Sequence, residues 1–153
     1  SENTRFDYIF FASGTGTTHA GLVCGQLLNG DDREIIGISI ARKNPRGRNV
    51  VLDSIKAYLG ERDTDITENA IQAATVFIDD YTAGHGKDDK RVTDTIEAVL
   101  KNYGIPLDAT YTGKAFMGMT EYTRKQKITG KNILFIHTGG TPLFFDALNK
   151  IEK

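Results

Sequence analysis

FFASGTGTTHAGL, residues 10–22, is an apolar run that breaks into Ser13-Gly14-Thr15-Gly16-Thr17-Thr18 and resumes with helical spacing. Two glycines and three threonines stand where a strand turns into a helix. Gly14 and Gly16 permit positive φ and close approach of the backbone. The N–H groups of Thr15 to Thr18 can converge at the helix N-terminus, and three hydroxyls and the helix dipole add to the same field. An anion is one explanation of this composition; a strand-to-helix turn without a ligand is the other. The loop is not a Walker A motif, because no Gly-Lys-Ser/Thr closes it. Nor is it a dinucleotide fingerprint. His19 stands where the third glycine belongs, and GISIARK (37–43) offers Ala41 and Arg42 in place of an acid for the ribose.

Outward from this stretch the pattern repeats. YIFFA (8–12), EIIGISI (34–40), ATVFI (74–78) and NILFIHT (132–138) read as strands, three of them nearly continuous in apolar residues. Helix patterns fall between and after them, at 19–28, 48–60 with Gly60 as a stop, 90–104 ending at Gly104, 113–127, and 142–153 with Pro142 in the first turn. Asp88 or Asp89 is placed to cap the third of these. Alternation of this kind predicts an α/β fold: one domain over 1–153, three-layered, with a mostly parallel sheet of about four strands and helices on both faces. Four strands make a thin sheet, and edges so apolar are normally covered. The expectation is that strands and helices preceding residue 1 belong to the same fold.

Bulk composition narrows the partners. The chain has 153 residues, 39% of them apolar, with a net charge of -1 and no basic stripe, so nucleic acid and membrane surfaces are not expected partners. No apolar run approaches the roughly 18 residues of a membrane span. The lone cysteine, Cys24, excludes an internal disulfide, fits a reducing, cytoplasmic setting, and reads as a small buried apolar residue.

Two further loops are placed at strand or helix ends. DATYTGKAFMGM (108–119) sets Tyr111-Thr112-Gly113-Lys114 before a helix, where Thr112 would serve equally as an ordinary cap. FIHTGGTPLFF (135–145) sets His137-Thr138-Gly139-Gly140 at a strand end, where a tight turn needs the same residues. Among the histidines, His19 faces solvent or touches the anion, His85 is exposed, and His137 is a satisfied, partly buried imidazole. Their spacing is not that of metal ligands, and Asp79-Asp80 lacks a matching acidic pair for magnesium.

Taken together, ASGTGTTHAGL, YTGKAFMGM and IHTGGTP, in this order and at these separations, resemble the second half of the D-cysteine desulfhydrase and 1-aminocyclopropane-1-carboxylate deaminase family. FIDDYTAGHGK (77–87) resembles that family's Tyr-and-Gly loop. The resemblance implies the large domain of fold type II, as in the tryptophan synthase β-subunit, and pyridoxal 5′-phosphate as cofactor. It implies that Gly14, Thr15, Gly16, Thr17 and Thr18 hold the phosphate and that Tyr111 is the catalytic acid-base group. Thr112 occupies the position that contacts the pyridine nitrogen in related enzymes, and Thr138, followed by Gly139, is the second candidate. The deaminase branch is expected to carry Glu after that tyrosine, so Thr112 implies the desulfhydrase branch, which converts D-cysteine to pyruvate, sulfide and ammonia. Two departures stand out. Leu143 replaces a glycine and is expected to displace the final helix. The Schiff-base lysine and the loop that grips the substrate carboxylate have no match, and Lys114 is not that lysine. The implied partners are a small amino-acid substrate, the absent N-terminal half, and a second copy in a homodimer. A non-catalytic α/β module that binds a phosphorylated ligand or a partner chain is the alternative.

Overall fold

The computed structural model describes residues 4–82 and 89–145. Along them run β1 (Tyr8–Ser13), α1 (Thr17–Leu28), β2 (Glu34–Ser39), α2 (Arg46–Gly60), α3 (Glu68–Ala74), β3 (Val76–Ile78), α4 (Lys90–Tyr103), α5 (Thr112–Lys125) and β4 (Ile133–Ile136). A helical turn covers 141–145. The strands form one sheet in the order β3-β2-β1-β4, and every neighbouring pair is parallel. Each functional loop that follows a strand therefore leaves the same edge of the sheet.

Period-two alternation assigns the faces. Ile9 and Phe11 of β1, Ile35 of β2 and Phe77 of β3 pack with Ala20, Val23, Val51, Ile55 and Ile71 from α1, α2 and α3. Phe10, Ile36 and Ile38 turn the other way, against Ala115, Met119 and Tyr122 of α5. Behind α5, Val92, Ile96 and Val99 of α4 meet Leu107, Met117 and Phe144. Both faces of β1 and β2 are thus sealed, which is why their sequences are nearly unbroken apolar runs. Phe10 and Phe11 are wholly out of water, a burial of about 2–3 kcal/mol each.

Helix ends follow local chemistry. Asp89 caps α4 by accepting from the Arg91 N–H at 3.0 Å, and Gly104 closes that helix at φ 67°. Residue 88, the other proposed cap, lies outside the described residues. Gly60 is the last residue of α2, with Glu61 as its cap. The sequence pattern does not predict α3: Thr67 caps it through the Ala70 N–H at 3.2 Å, and it consumes Ala74, so that β3 is shorter than the expected strand over 74–78. Pro142 falls in the first turn of 141–145, where a missing N–H costs nothing. Leu143 points outward, 37% exposed, while its N–H donates to the Gly140 carbonyl at 2.9 Å. The remainder of the expected final helix, and His85, lie outside the described residues.

Candidate active site

The site is built on strand ends. Beyond β1, Gly16 takes φ 100° at the N-cap of α1, a conformation costly for any residue with a side chain; a Cβ there would also press on Val51 Cγ2 at 3.2 Å. No side chain caps α1 and no acid lies in its first turn. Its first N–H groups, which the helix itself cannot satisfy, are therefore without a capping side chain as well. Thr15, Thr17 and Thr18 are exposed around them, with Thr15 Oγ1 3.5 Å from Thr17 Oγ1. The Arg42 Nη1, from the segment after β2, donates to the Gly14 carbonyl at 3.0 Å and the Thr15 carbonyl at 2.7 Å.

His19 corrects its expected place. It is 0% exposed, on the sheet side of α1. Its Nδ1 lies 3.2 Å from Ser13 Oγ, and its ring stacks on Phe77 and meets Phe11 edge-on. The ring fits because residue 37 is glycine; a Cβ there would collide with His19 Nδ1. Burial pushes the imidazole down to about 4 and keeps it neutral, with Nε2 left without a partner. It therefore stands behind the loop and touches no anion in front of it.

A second corner forms before α5. Asp108, also 0% exposed, accepts through Oδ2 from the N–H groups of Thr110 and Tyr111 at 2.8 and 2.7 Å. Its Oδ1 accepts from the N–H and the hydroxyl of Thr112 at 2.9 and 2.7 Å. The Thr112 oxygen in turn accepts from the Asp108 N–H at 2.9 Å. Thr112 is completely buried and its hydroxyl is spent on this turn, whereas Tyr111 stands 37% exposed at the corner. Lys114, in the first turn of α5, is buried as well.

The third loop joins the other two. Phe11 is in register with Ile136, so the loops that follow β1 and β4 start from neighbouring strands, spaced roughly 4.8 Å apart. Gly140, at φ 87°, lies so close to Asp108 that a Cβ would collide with Oδ1. His137 Nε2 is 2.9 Å from the Pro106 carbonyl. It is satisfied but exposed, not partly buried as expected. Thr138 and Gly139 are exposed, and open space surrounds Gly139. The loops after β1 and β4 thus leave neighbouring strands, and the second of them packs Gly140 against Asp108 of the Tyr111 corner. Asp79 is engaged with Asn44, accepting from its backbone and side-chain nitrogens at 2.9 Å each. Among the described residues no group of three or more His, Cys, Asp or Glu is arranged to hold a metal, and no helix is long and apolar enough to cross a membrane. Cys24 is buried, and burial pushes its thiol up.

Residues 1–139 match the family model of pyridoxal-phosphate-dependent enzymes. The chain belongs to this family. It is 34% identical over 149 residues to the D-cysteine desulfhydrase of Yersinia pestis (strain Pestoides F), covering 94% of this chain and 43% of that protein. A Pyrococcus abyssi protein, provisionally named 1-aminocyclopropane-1-carboxylate deaminase, is 32% identical over 142 residues, 92% of this chain and 41% of its own length. The crystal structure of a homologue of that deaminase superposes with a TM-score of 0.82 at 32% identity, over 99% of this chain and 45% of the other. The fold class is therefore that of this family, and the chain spans less than half the length of these relatives. Pyridoxal phosphate is the cofactor of the family. The loop after β1 suits its phosphate: it offers N–H and hydroxyl donors, and no carboxylate lies in the first turn of α1.

Asp108 and Gly37 carry no part in the motifs, His19 is placed by them on the wrong side of the loop, and Arg42 is given no contact by them. Asp108 carried a readable signal all the same, an Asp followed within four residues by Thr at a helix start, the pattern of an Asx-type turn.

Proposed function

We propose that this chain supplies half of the active site of a pyridoxal-phosphate-dependent lyase, whose complete form eliminates sulfide from D-cysteine to give pyruvate, sulfide and ammonia. The observation that carries the reading is the donor-only, uncapped N-terminus of α1, which follows a strand paired with the one that leads into the His137–Gly140 turn. Gly14, Thr15, Gly16, Thr17 and Thr18 bind the phosphate through amides and hydroxyls. When bound, the cofactor withdraws electrons from the substrate's α-carbon, so that a β-substituent can leave with its electron pair. Thr138 offers the ring nitrogen a neutral hydroxyl, with Gly139 leaving room for it. Thr112 shares that family position but, with its hydroxyl committed to Asp108, contributes by holding the corner on which Tyr111 stands. Asp108 cannot substitute as a carboxylate partner for the ring, because its four acceptor sites are filled. A neutral partner makes a weaker electron sink than a carboxylate, which suits a reaction whose leaving thiolate carries the charge away. Tyr111 Oη handles the proton at the substrate.

The substrate-carboxylate grip and the covalent lysine belong, in this reading, to the length of the relatives that this chain does not span. Deaminase activity on 1-aminocyclopropane-1-carboxylate is the second reading, supported by the structural neighbour. Titrating the chain with pyridoxal phosphate, then reducing with borohydride and mapping modified peptides by mass, tests the half-site. Saturable binding without one dominant trapped lysine is the expected outcome; stoichiometric trapping on a single lysine overturns it. In the complete enzyme, sulfide release from D-cysteine against ammonia release from 1-aminocyclopropane-1-carboxylate separates the two activities.

A further inference from the structure

We propose that Arg42 is a positioning residue for the phosphate cradle, presetting the amides that receive the anion. The inference rests on the phosphate reading of the loop after β1. A trans peptide points its C=O and its N–H in opposite directions. Arg42 draws the Gly14 and Thr15 carbonyls toward itself at 3.0 and 2.7 Å. The N–H groups of Thr15 and Gly16 belong to those same two peptides, so they are turned away from Arg42. Arg42 is thus behind the cradle and is not itself a ligand of the anion.

A loop with two glycines in four residues would otherwise lose much backbone freedom on binding. Order imposed beforehand removes that cost from the binding step. Arg42 is able to impose it because its own backbone is fixed. The buried Ser39 hydroxyl donates to the Arg42 carbonyl at 2.6 Å, and the Ala41 N–H donates to Ser39 Oγ at 3.3 Å. Thr82 Oγ1 ties down the Ile40 carbonyl at 2.9 Å. Two charge-assisted hydrogen bonds to neutral carbonyls are also among the stronger contacts available at a half-exposed site. Arg42 stands where a dinucleotide fold would place an acid; here the same position serves the neighbouring loop.

The test compares pyridoxamine 5′-phosphate with pyridoxamine, neither of which condenses with lysine, and adds inorganic phosphate as a third probe. Binding to the protein and to its Arg42→Met and Arg42→Lys variants is followed by amide NMR spectra. Arg42→Met should weaken pyridoxamine 5′-phosphate about 10-fold, weaken inorganic phosphate in parallel, and leave pyridoxamine unchanged. In the free variant, resonances of Thr15 and Gly16 should move while those of the sheet stay in place. Arg42→Lys, which keeps the charge, should recover part of the loss. It also carries the test if Arg42→Met does not fold. Unchanged phosphate affinity in both variants, or an equal loss for pyridoxamine, overturns the role given to Arg42. Wild-type protein that binds pyridoxamine as tightly as its phosphate overturns the phosphate reading itself, a distinct outcome.

Discussion

His19 shows how one residue can couple a site to the stability of the molecule. Its imidazole is buried and neutral, with a pKa of about 4 against 6.5 in the unfolded chain. Between those values the unfolded chain takes up a proton that the folded chain refuses. The stabilisation is therefore complete above pH 6.5 and is lost as the pH falls toward 4, about 3 kcal/mol in all. The carboxylates that their partners hold below 3.8, such as Asp7, Asp32 and Asp89, lose their contributions only in more acid solution. Denaturant unfolding from pH 7 to 4 should show this slope, and His19→Gln should flatten it; an equal slope in the variant would exclude His19 as its source. The burial of His19 was not legible locally, because whether the third residue of a helix faces in or out depends on the absence of a side chain at Gly37, on another strand. Thr112 teaches the same point. Its motif was visible, but the destination of its hydroxyl was set by Asp108. The glycines and threonines of 14–18 were legible because a left-handed cap and a ring of hydroxyls are properties of the stretch itself.

At the scale of elements, α5 lies on the sheet through a glycine. A Cβ at Gly118 would stand 2.6 Å from Ile38 Cγ2, a branched and buried side chain with no room to retreat. Gly118→Ala should gain helix propensity yet lose about 1–3 kcal/mol net through overpacking. A lowered urea midpoint would show this, whereas a raised midpoint would mean that α5 floats on the sheet. The same contact bears on the site, since α5 begins at the corner that presents Tyr111. Strands and long helices were readable from periodicity, because sealed strands are apolar throughout and amphipathic helices repeat at 3.6. The short α3 was not, since seven residues rich in alanine run directly into β3 with no turn between them. Only the Thr67 cap announces it.

For the molecule as a whole, strand order decides what is exposed. β4 pairs with β1 on one side, and its residues remain half-buried. A short apolar edge in that state is a template for another strand. We expect the chain to self-associate, seen as a light-scattering mass that rises with protein concentration; a constant monomer mass up to millimolar concentration would count against it. The layered α/β class followed from the alternation of elements, but the order β3-β2-β1-β4 did not, since nothing in a strand's composition names its neighbour. That order has a kinetic consequence. Asp7 and Asn132, 125 positions apart, are bonded at the mouth of the β1–β4 pair. Contacts of such long range are closed late, after the entropy of a large loop has been spent. During synthesis β1 would wait, one flank open, until every described element between it and β4 had been made, so of the described strands the first to appear is the last to gain both neighbours, and it is the natural client for a chaperone.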